Sequence, residues 1–299
     1  MQKQIFYSPR SKTTRASAHQ TITLSDALKG FELACKARRL SKHTLVDYFR
    51  TLRRFLVHVG DTPIDQITTT QVSAFLAAQP YGEKTILNYH IGLSALWTWL
   101  IREGYTDKHL LHQVEKPKPK LLSIQPFTEA DVKAMINCVR RNNERDKSVI
   151  LLLLDTGLRA SELTGIELSQ LDLVNRRVKV LGKGNKERIL PFSVRTSAAL
   201  FLYISTLETS TGKLYPYSRN SLADLIADIG KRAGIKKAHP HRFRHTFAIT
   251  YLRNGGDPYT LQAILGHSTM EMLKRYLALA QIDIDEAHKR ASPVEGWQL

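Results

Sequence analysis

Residues 116–120 read Lys-Pro-Lys-Pro-Lys, and this stretch divides the chain. Alternating proline removes backbone donors and blocks both helix and sheet ladder, and three like charges repel, so the segment is expected to be extended and exposed. It reads equally as a solvated linker or as a basic strand that tracks a phosphate backbone. The expected organisation is a flexible basic tail over 1–20, a helical unit over 21–115, a linker over 116–127 and a mixed unit over 128–299. The expected fold class is mainly α with a small antiparallel β-sheet.

On the N-terminal side, Ser25 is read as the cap of a first helix reaching about Leu40. Ser41 caps a second, in which Leu45, Tyr48, Phe49, Leu52, Phe55, Leu56 and Val59 recur at helical spacing before Gly60. A third covers about 70–78. A fourth covers about 83–103, with Ile86, Leu93, Leu96, Trp97 and Leu100 facing inward. Short connections make these four a bundle. The apolar stripes are core. Arg50, Arg53 and Arg54 form a basic face on the second helix, which can lie along phosphates, as can Lys116, Lys118 and Lys120 of the divider.

On the C-terminal side, Thr128 and Asp131 open a capped helix to about Asn142. A buried helix over about 146–156 contains Val149–Leu154, the longest aliphatic run in the chain at six residues, and Gly157 ends it. Short strands follow over 171–174, 177–181 and 188–191, the last two joined by a turn at Gly182-Lys-Gly-Asn185. Further helices are expected over 195–208, 219–233, 241–254 and 258–265. Ser268 and Glu271 form a capping box for one that carries Tyr276, and a last short helix covers about 283–290.

Composition bounds the function. The 299 residues carry 44 Lys and Arg against 27 Asp and Glu, a net charge of +17. Up to residue 120 there are 18 basic and 9 acidic residues, and beyond it 26 and 18, so both halves are basic. A polyanion touching both halves accounts for this, and nucleic acid is the default, though charge alone does not separate RNA from DNA. The short aliphatic runs exclude a membrane-spanning helix, and the polar, basic first twenty residues are no secretory signal. The two cysteines, Cys35 and Cys138, are far apart, which excludes a disulfide framework or cysteine zinc site and points to a reduced, cytoplasmic setting.

Several side chains stand where they could meet a phosphate. Arg159 opens a helix against the local dipole, which makes sense if both bind an anion. Lys183 sits at the tip of a glycine-flanked turn. His241 and Arg244 are three apart on one helical face. His267 precedes Ser268, and Tyr276 follows nine residues on. Two arginines can clamp non-bridging oxygens with forked hydrogen bonds, and His241 or His267 can move a proton at neutral pH. A lysine can protonate a leaving alkoxide, and a tyrosine can act as nucleophile once helped to lose its proton. No Asp/Glu cluster has magnesium spacing, so no metal is called for. Taken singly, each has an ordinary reading as a solvated charge, turn residue or packed aromatic, and His239 and His245 read as structural. Composition and spacing alone reach a basic, two-domain, phosphate-binding protein.

Taken in order, Thr156-Gly-Leu-Arg-Ala-Ser-Glu-Leu163, Gly182-Lys-Gly-Asn-Lys-Glu-Arg188, Pro240-His-Arg-Phe-Arg-His-Thr-Phe-Ala248, Leu265-Gly-His-Ser268 and Tyr276 resemble the tyrosine recombinase (phage integrase) family. The spacings are similar too: 24 residues from Arg159 to Lys183, three from His241 to Arg244 and nine from His267 to Tyr276. The resemblance spans about residues 20–290. It implies a SAM-like four-helix core-binding domain before an α+β catalytic domain, and a site-specific recombinase that cuts and rejoins double-stranded DNA through a 3′-phosphotyrosine. It makes Tyr276 the nucleophile, Arg159 and Arg244 the phosphate clamp and Lys183 the acid for the 5′-oxygen. His241 then assists proton transfer at the tyrosine, His267 completes the pocket and Glu162 supports it from behind. It further implies no cofactor, a homotetramer on inverted-repeat core sites working through a Holliday junction, and a monomer or weak oligomer off DNA. A second recombinase or a directionality factor is a further possible partner.

Two features modify the resemblance. Tyr276 is followed by Leu-Ala-Leu-Ala, which puts in doubt the contacts by which 281–299 docks on a neighbouring subunit. Only about twenty residues precede the first helix, too few for an arm-site-binding domain, so a simple core-site enzyme is expected. The tail Ser292-Pro-Val leans toward a mobile-element integrase rather than a chromosome-dimer resolvase. The alternatives are a type IB topoisomerase-like enzyme and a catalytically silent architectural DNA-binding protein.

Overall fold

The computed structural model describes residues 22–119, 124–140, 143–182, 187–266, 270–280, 288 and 292–296. Lys120, Lys183, His267, the Ser268 cap and nearly all of the segment expected to form a last helix lie outside them. The chain divides into two compact units, Met1–Leu122 and Ser123–Leu299.

The first unit is built from α1 (Leu24–Ala37), α2 (Lys42–Val59), α3 (Thr69–Ala77) and α4 (Glu83–Arg102), with 3₁₀ turns at Ile64–Gln66 and Leu110–His112. Ser41 caps α2 and Gly60 ends it, as the sequence predicts. Thr23, not Ser25, caps α1: Ser25 turns away and donates its backbone N–H and its hydroxyl to Asp61. Two adjacent hydroxyl residues are interchangeable caps to a local reading, and a carboxylate 36 residues on decides between them. The core is aromatic. Phe55 meets Phe75 and Trp97 edge-on at 5.2 and 6.0 Å, in one buried cluster with Leu52, Leu93 and Leu96. Such edge-to-face pairs add about 1 kcal/mol each beyond the area they bury.

The second unit contains α5 (Glu129–Asn137), α6 (Glu144–Thr156) and the one-turn α7 (Ala160–Leu163). Next come β1 (Leu171–Asp172), β2 (Arg177–Leu181) and β3 (Glu187–Pro191), and then α8 (Val194–Ile204), α9 (Arg219–Arg232), α10 (Pro240–Arg253), α11 (Pro258–Leu265) and α12 (Glu271–Ala280). A final helical turn covers Pro293–Gly296. The Thr128–Asp131 capping box is present, but α5 stops at Asn137, five residues short of the expected end. The strands form an antiparallel sheet in the order β1-β2-β3, with Val178 opposite Leu190 and Val180 opposite Arg188. Alternation along β2 buries Val178 and Val180 and leaves Arg177, Lys179 and Leu181 exposed, the pattern of a sheet packed on one face.

The aliphatic run of α6 is the centre of this unit. Val149, Ile150, Leu152 and Leu153 are wholly buried, against α8 on one side and α10 on the other. A second cluster joins Ala248, Ile249 and Leu252 of α10 to Leu261 and Leu265 of α11 and to Leu273, Tyr276 and Ala280 of α12. The N-terminal half of α10 and the C-terminal end of α11 carry the candidate site. Among the described residues no helix is long and apolar enough to cross a membrane.

Candidate active site

The site begins at the end of α6. Gly157 takes a left-handed conformation (φ 61°) and stops the helix. A β-carbon there would lie 2.6 Å from Phe247 and 2.9 Å from Leu265, so glycine is required for close approach as well as for the turn. Two residues later Arg159 begins α7. Glu162 closes that turn by accepting the Arg159 backbone N–H at 2.8 Å with one oxygen and the Arg159 guanidinium at 2.8 Å with the other. Arg188, from β3, donates to both oxygens of the same carboxylate at 3.0 and 2.9 Å. Glu162 is only 4% exposed, and desolvation alone would raise its pKa. The hydrogen bonds and charges of Arg188 and Arg159 outweigh burial and hold it below the usual carboxylate range.

The end of α11 completes the pocket. A helix leaves its last carbonyls without intrahelical partners, and they carry the negative end of the dipole. Here three consecutive ones each take a different arginine. Ile264 accepts Arg188 Nε at 2.8 Å, Leu265 accepts Arg244 Nη2 at 2.7 Å, and Gly266 accepts Arg159 Nη2 at 3.4 Å. Arg244 also donates Nη1 to the Gly157 carbonyl at 2.8 Å, which ties α10 to the end of α6. It is fully buried. Burial, followed by the neighbouring charge of Arg159, brings its guanidinium down to about 10, so it stays cationic at neutral pH. The structure thus brings Arg159, Arg244 and Glu162 together around the end of α11.

Tyr276 reaches the same pocket from α12 and is wholly buried. Burial raises its pKa, while the charges of Arg244, Arg275 and Arg159 act in the opposite sense. The oxygen lies 2.9 Å from Nδ1 of His245. The sequence reading gave the tyrosine to His241 and left His245 as structural. In the structure His245 is the histidine on the hydroxyl, and His241 packs edge-on against it with ring centroids 4.4 Å apart. Desolvation by the protein packed around the His241 ring lowers its pKa, and the charges of Arg244, His239 and Arg159 add to the effect. His245 is held down to about 3, first by burial and then by His241, His239, Arg244 and Arg275.

Arg188 and His245 belong to this cluster, and the sequence reading assigned neither of them to the site. His245 had a signal: it follows His241 by four residues, which puts both rings on one face of α10. Arg188 had only its place in the Gly182–Arg188 segment. Lys183 and His267 fall outside the described residues.

The expected DNA-contacting residues lie in the first unit. Arg50, Arg53, Arg54, Lys116 and Lys118 are all exposed. Arg50 is paired with Asp47 at 2.7 Å. Arg54 is oriented by tyrosines: its Nη1 donates to Tyr81 at 2.7 Å and to Tyr89 at 2.9 Å. Lys118 lies 4.0 Å from Glu115, a loose pair that leaves it available to a stronger anion.

Comparison with known proteins points to one family. Residues 125–282 match the model of the phage integrase family, and residues 29–104 match that of the phage integrase N-terminal SAM-like domain. A tyrosine recombinase XerC of Listeria innocua is 29% identical over 280 residues, covering 86% of this chain and 93% of that protein. Two solved structures share the fold. A lambda integrase tetramer bound to a Holliday junction has a TM-score of 0.73 at 18% identity, over 86% of this chain and 78% of that one. The Tn1549 transposon integrase in complex with a circular intermediate DNA has a TM-score of 0.73 at 20% identity, over 90% of this chain and 98% of that one.

Proposed function

Because the chain belongs to the phage integrase family, whose members are tyrosine recombinases that cleave and rejoin DNA, we propose that it is a site-specific recombinase acting through a 3′-phosphotyrosine made by Tyr276. The observation that carries this reading is the convergence of Arg159, Arg244 and the Tyr276 hydroxyl on one pocket of a single chain.

Tyr276 Oη attacks the scissile phosphorus and the 5′-oxygen leaves. Arg159 and Arg244 hold the non-bridging oxygens, and their grip strengthens as charge builds in the transition state. Lys183 protonates the departing 5′-oxygen, and His267 and His241 complete the pocket. Glu162 fixes Arg159 from behind. The phosphotyrosine keeps the energy of the broken bond, so rejoining draws on no ATP, and charge neutralisation by guanidinium groups leaves no step that calls for a metal.

The helical unit over 21–115 grips core-site duplex with Arg50, Arg53 and Arg54, and the linker over 116–127 follows the backbone with Lys116, Lys118 and Lys120. By likeness to the lambda integrase tetramer on a Holliday junction, four copies assemble on two inverted-repeat core sites, and 281–299 docks between neighbours. A second recombinase or a directionality factor fits the same scheme. The protein then works in the cytoplasm, with its DNA.

For biological role we favour integration or excision of a mobile element, on the Ser292-Pro-Val tail and the likeness to the Tn1549 integrase. Chromosome-dimer resolution is the second reading, favoured by the XerC relative. The functional test is a supercoiled plasmid carrying two copies of a duplex selected for binding from a random pool. Recombinant circles support the proposal. Relaxation of site-free plasmid by the monomer favours a topoisomerase, and tight site binding with no strand exchange or cleavage favours an architectural protein.

A further inference from the structure

The pocket contains a histidine that the residue roles above leave without a task. His245 lies one turn beyond His241 on α10, its ring half-buried, and its Nδ1 stands 2.9 Å from the oxygen of Tyr276. The two rings are 5.7 Å apart and inclined at 59°, which brings Nδ1 rather than the ring face to the hydroxyl. Tyr276 is wholly buried, so bulk water does not reach its proton directly. A buried phenol that must become a nucleophile needs an acceptor within about 3 Å, and His245 is one.

We propose that His245 is the proton acceptor for Tyr276 during strand cleavage and the donor that returns the proton on rejoining. The proposal rests on Tyr276 being the nucleophile. In cleavage the Tyr276 O–H bond breaks and its proton passes to His245 Nδ1, while Oη forms a bond to phosphorus. The bond from phosphorus to the 5′-oxygen breaks, and that oxygen takes a proton from the acid of the pocket. In rejoining the 5′-hydroxyl returns its proton to the acid of the pocket and its oxygen attacks phosphorus, the bond from phosphorus to Oη breaks, and His245 gives its proton back to Oη. No oxidant or further reactant enters.

The surroundings suit this role. An acceptor must start neutral, with its hydrogen on Nε2. The groups bearing on His245 are His239, His241 and Arg244 from α10 and Arg275 and Tyr276 from α12, and with burial they keep it neutral through the physiological range. The scissile phosphate brings negative charge against the same arginines. Its arrival offsets them, so the histidine gains basicity when substrate is in place. His241, edge-on to His245 at 4.4 Å, holds the ring in register.

The test uses the full chain and a nicked duplex of the selected site, with the single-turnover rate of covalent adduct formation followed from pH 5.5 to 9.5. Two variants are compared with the unsubstituted protein. His245→Ala removes the acceptor. His245→Asn places an amide oxygen where Nδ1 stood, so it can hold the hydroxyl but takes no proton. Melting and site binding check that each is folded, and either variant alone suffices. Both should lose about 100-fold at pH 6.5, and the deficit should shrink about tenfold per pH unit as the phenol ionises unaided. On a duplex with sulfur in place of the 5′-bridging oxygen, the deficit should persist, because a thiolate leaves without an acid but the phenol still needs a base. Unimpaired cleavage by a folded variant at pH 6.5, a loss equal at every pH, or full rescue by the sulfur substrate overturns the proposal. An adduct formed by Tyr276→Phe would instead overturn the functional reading, which separates the two.

Discussion

Arg188 and Glu162 form a two-bonded pair, both terminal nitrogens of the guanidinium on both oxygens of the carboxylate, across 26 residues of sequence. The pair ties the hairpin that leads to Lys183 to the turn that carries Arg159, and Arg188 goes on to the Ile264 carbonyl. One buried carboxylate thus links three segments of the candidate site. Breaking a buried pair from one side leaves the other charge uncompensated. Glu162→Gln should therefore lower stability by about 3 kcal/mol, read from urea unfolding, and Arg188→Lys, which keeps the charge but loses the fork, by about 1 kcal/mol. Equal losses would show that the forked geometry, and not the charge, carries the pair.

Arg244 joins the Gly157 and Leu265 carbonyls with separate nitrogens, an arrangement a lysine cannot reproduce. Arg244→Lys and Arg159→Ala should each cut adduct formation on nicked DNA by at least about 100-fold. Site binding, measured by gel shift, should weaken by no more than about 2 kcal/mol, the worth of one or two charged hydrogen bonds. A larger loss of binding would make these residues DNA anchors rather than transition-state clamps.

Gly157→Ala must strain a left-handed position and push Phe247 or Leu265 aside. The expected cost is about 2 kcal/mol in unfolding free energy, with a fall in cleavage larger than Gly→Ala exchange at Gly60, where a β-carbon meets nothing within 4 Å. Equal effects on cleavage at the two sites would detach the Gly157 carbonyl from the working of Arg244.

Acid should destabilise the fold in two stages. His245 titrates at its ordinary 6.5 when unfolded and about 3 when folded, so below pH 6.5 the unfolded chain binds a proton that the folded one refuses. That contribution is complete above pH 6.5 and is lost as pH falls toward 3. Glu162 is lowered from 4.5, so its contribution is complete above pH 4.5 and is lost below it. Thermal melts between pH 8 and 4 should decline from about 6.5 downward, and His245→Asn should lessen the upper stage without removing it, because the lowered His239 and His241 act in the same range. A melting temperature that does not move between pH 7 and 5 would contradict the shift.

Local signals in the sequence carried most of the fold. Ser41, Gly60, the Thr128–Asp131 box and Gly157 act within one helical turn, and the structure has each of them in the expected role. The fourth helix, the hairpin strands and the helix over 258–265 were legible from periodicity and turn residues. What escaped depends on contacts made by folding. Nothing near Ser25 indicates that Asp61 will engage it. Nothing near Arg188 indicates Glu162 as its partner, and the choice between His241 and His245 is made by Tyr276, 31 residues on from His245. The site was legible as a set of residue types in order. Which of them touch was not.

The central claim is that Tyr276 carries the DNA. It is tested most directly by trapping the adduct on nicked duplex, digesting both polymers and locating the nucleotide by mass spectrometry. The account predicts a single modified residue, Tyr276, joined through a 3′-phosphate, with a free 5′-hydroxyl on the released strand and no adduct from Tyr276→Phe. Linkage to any other side chain, or an undiminished adduct from Tyr276→Phe, would contradict it.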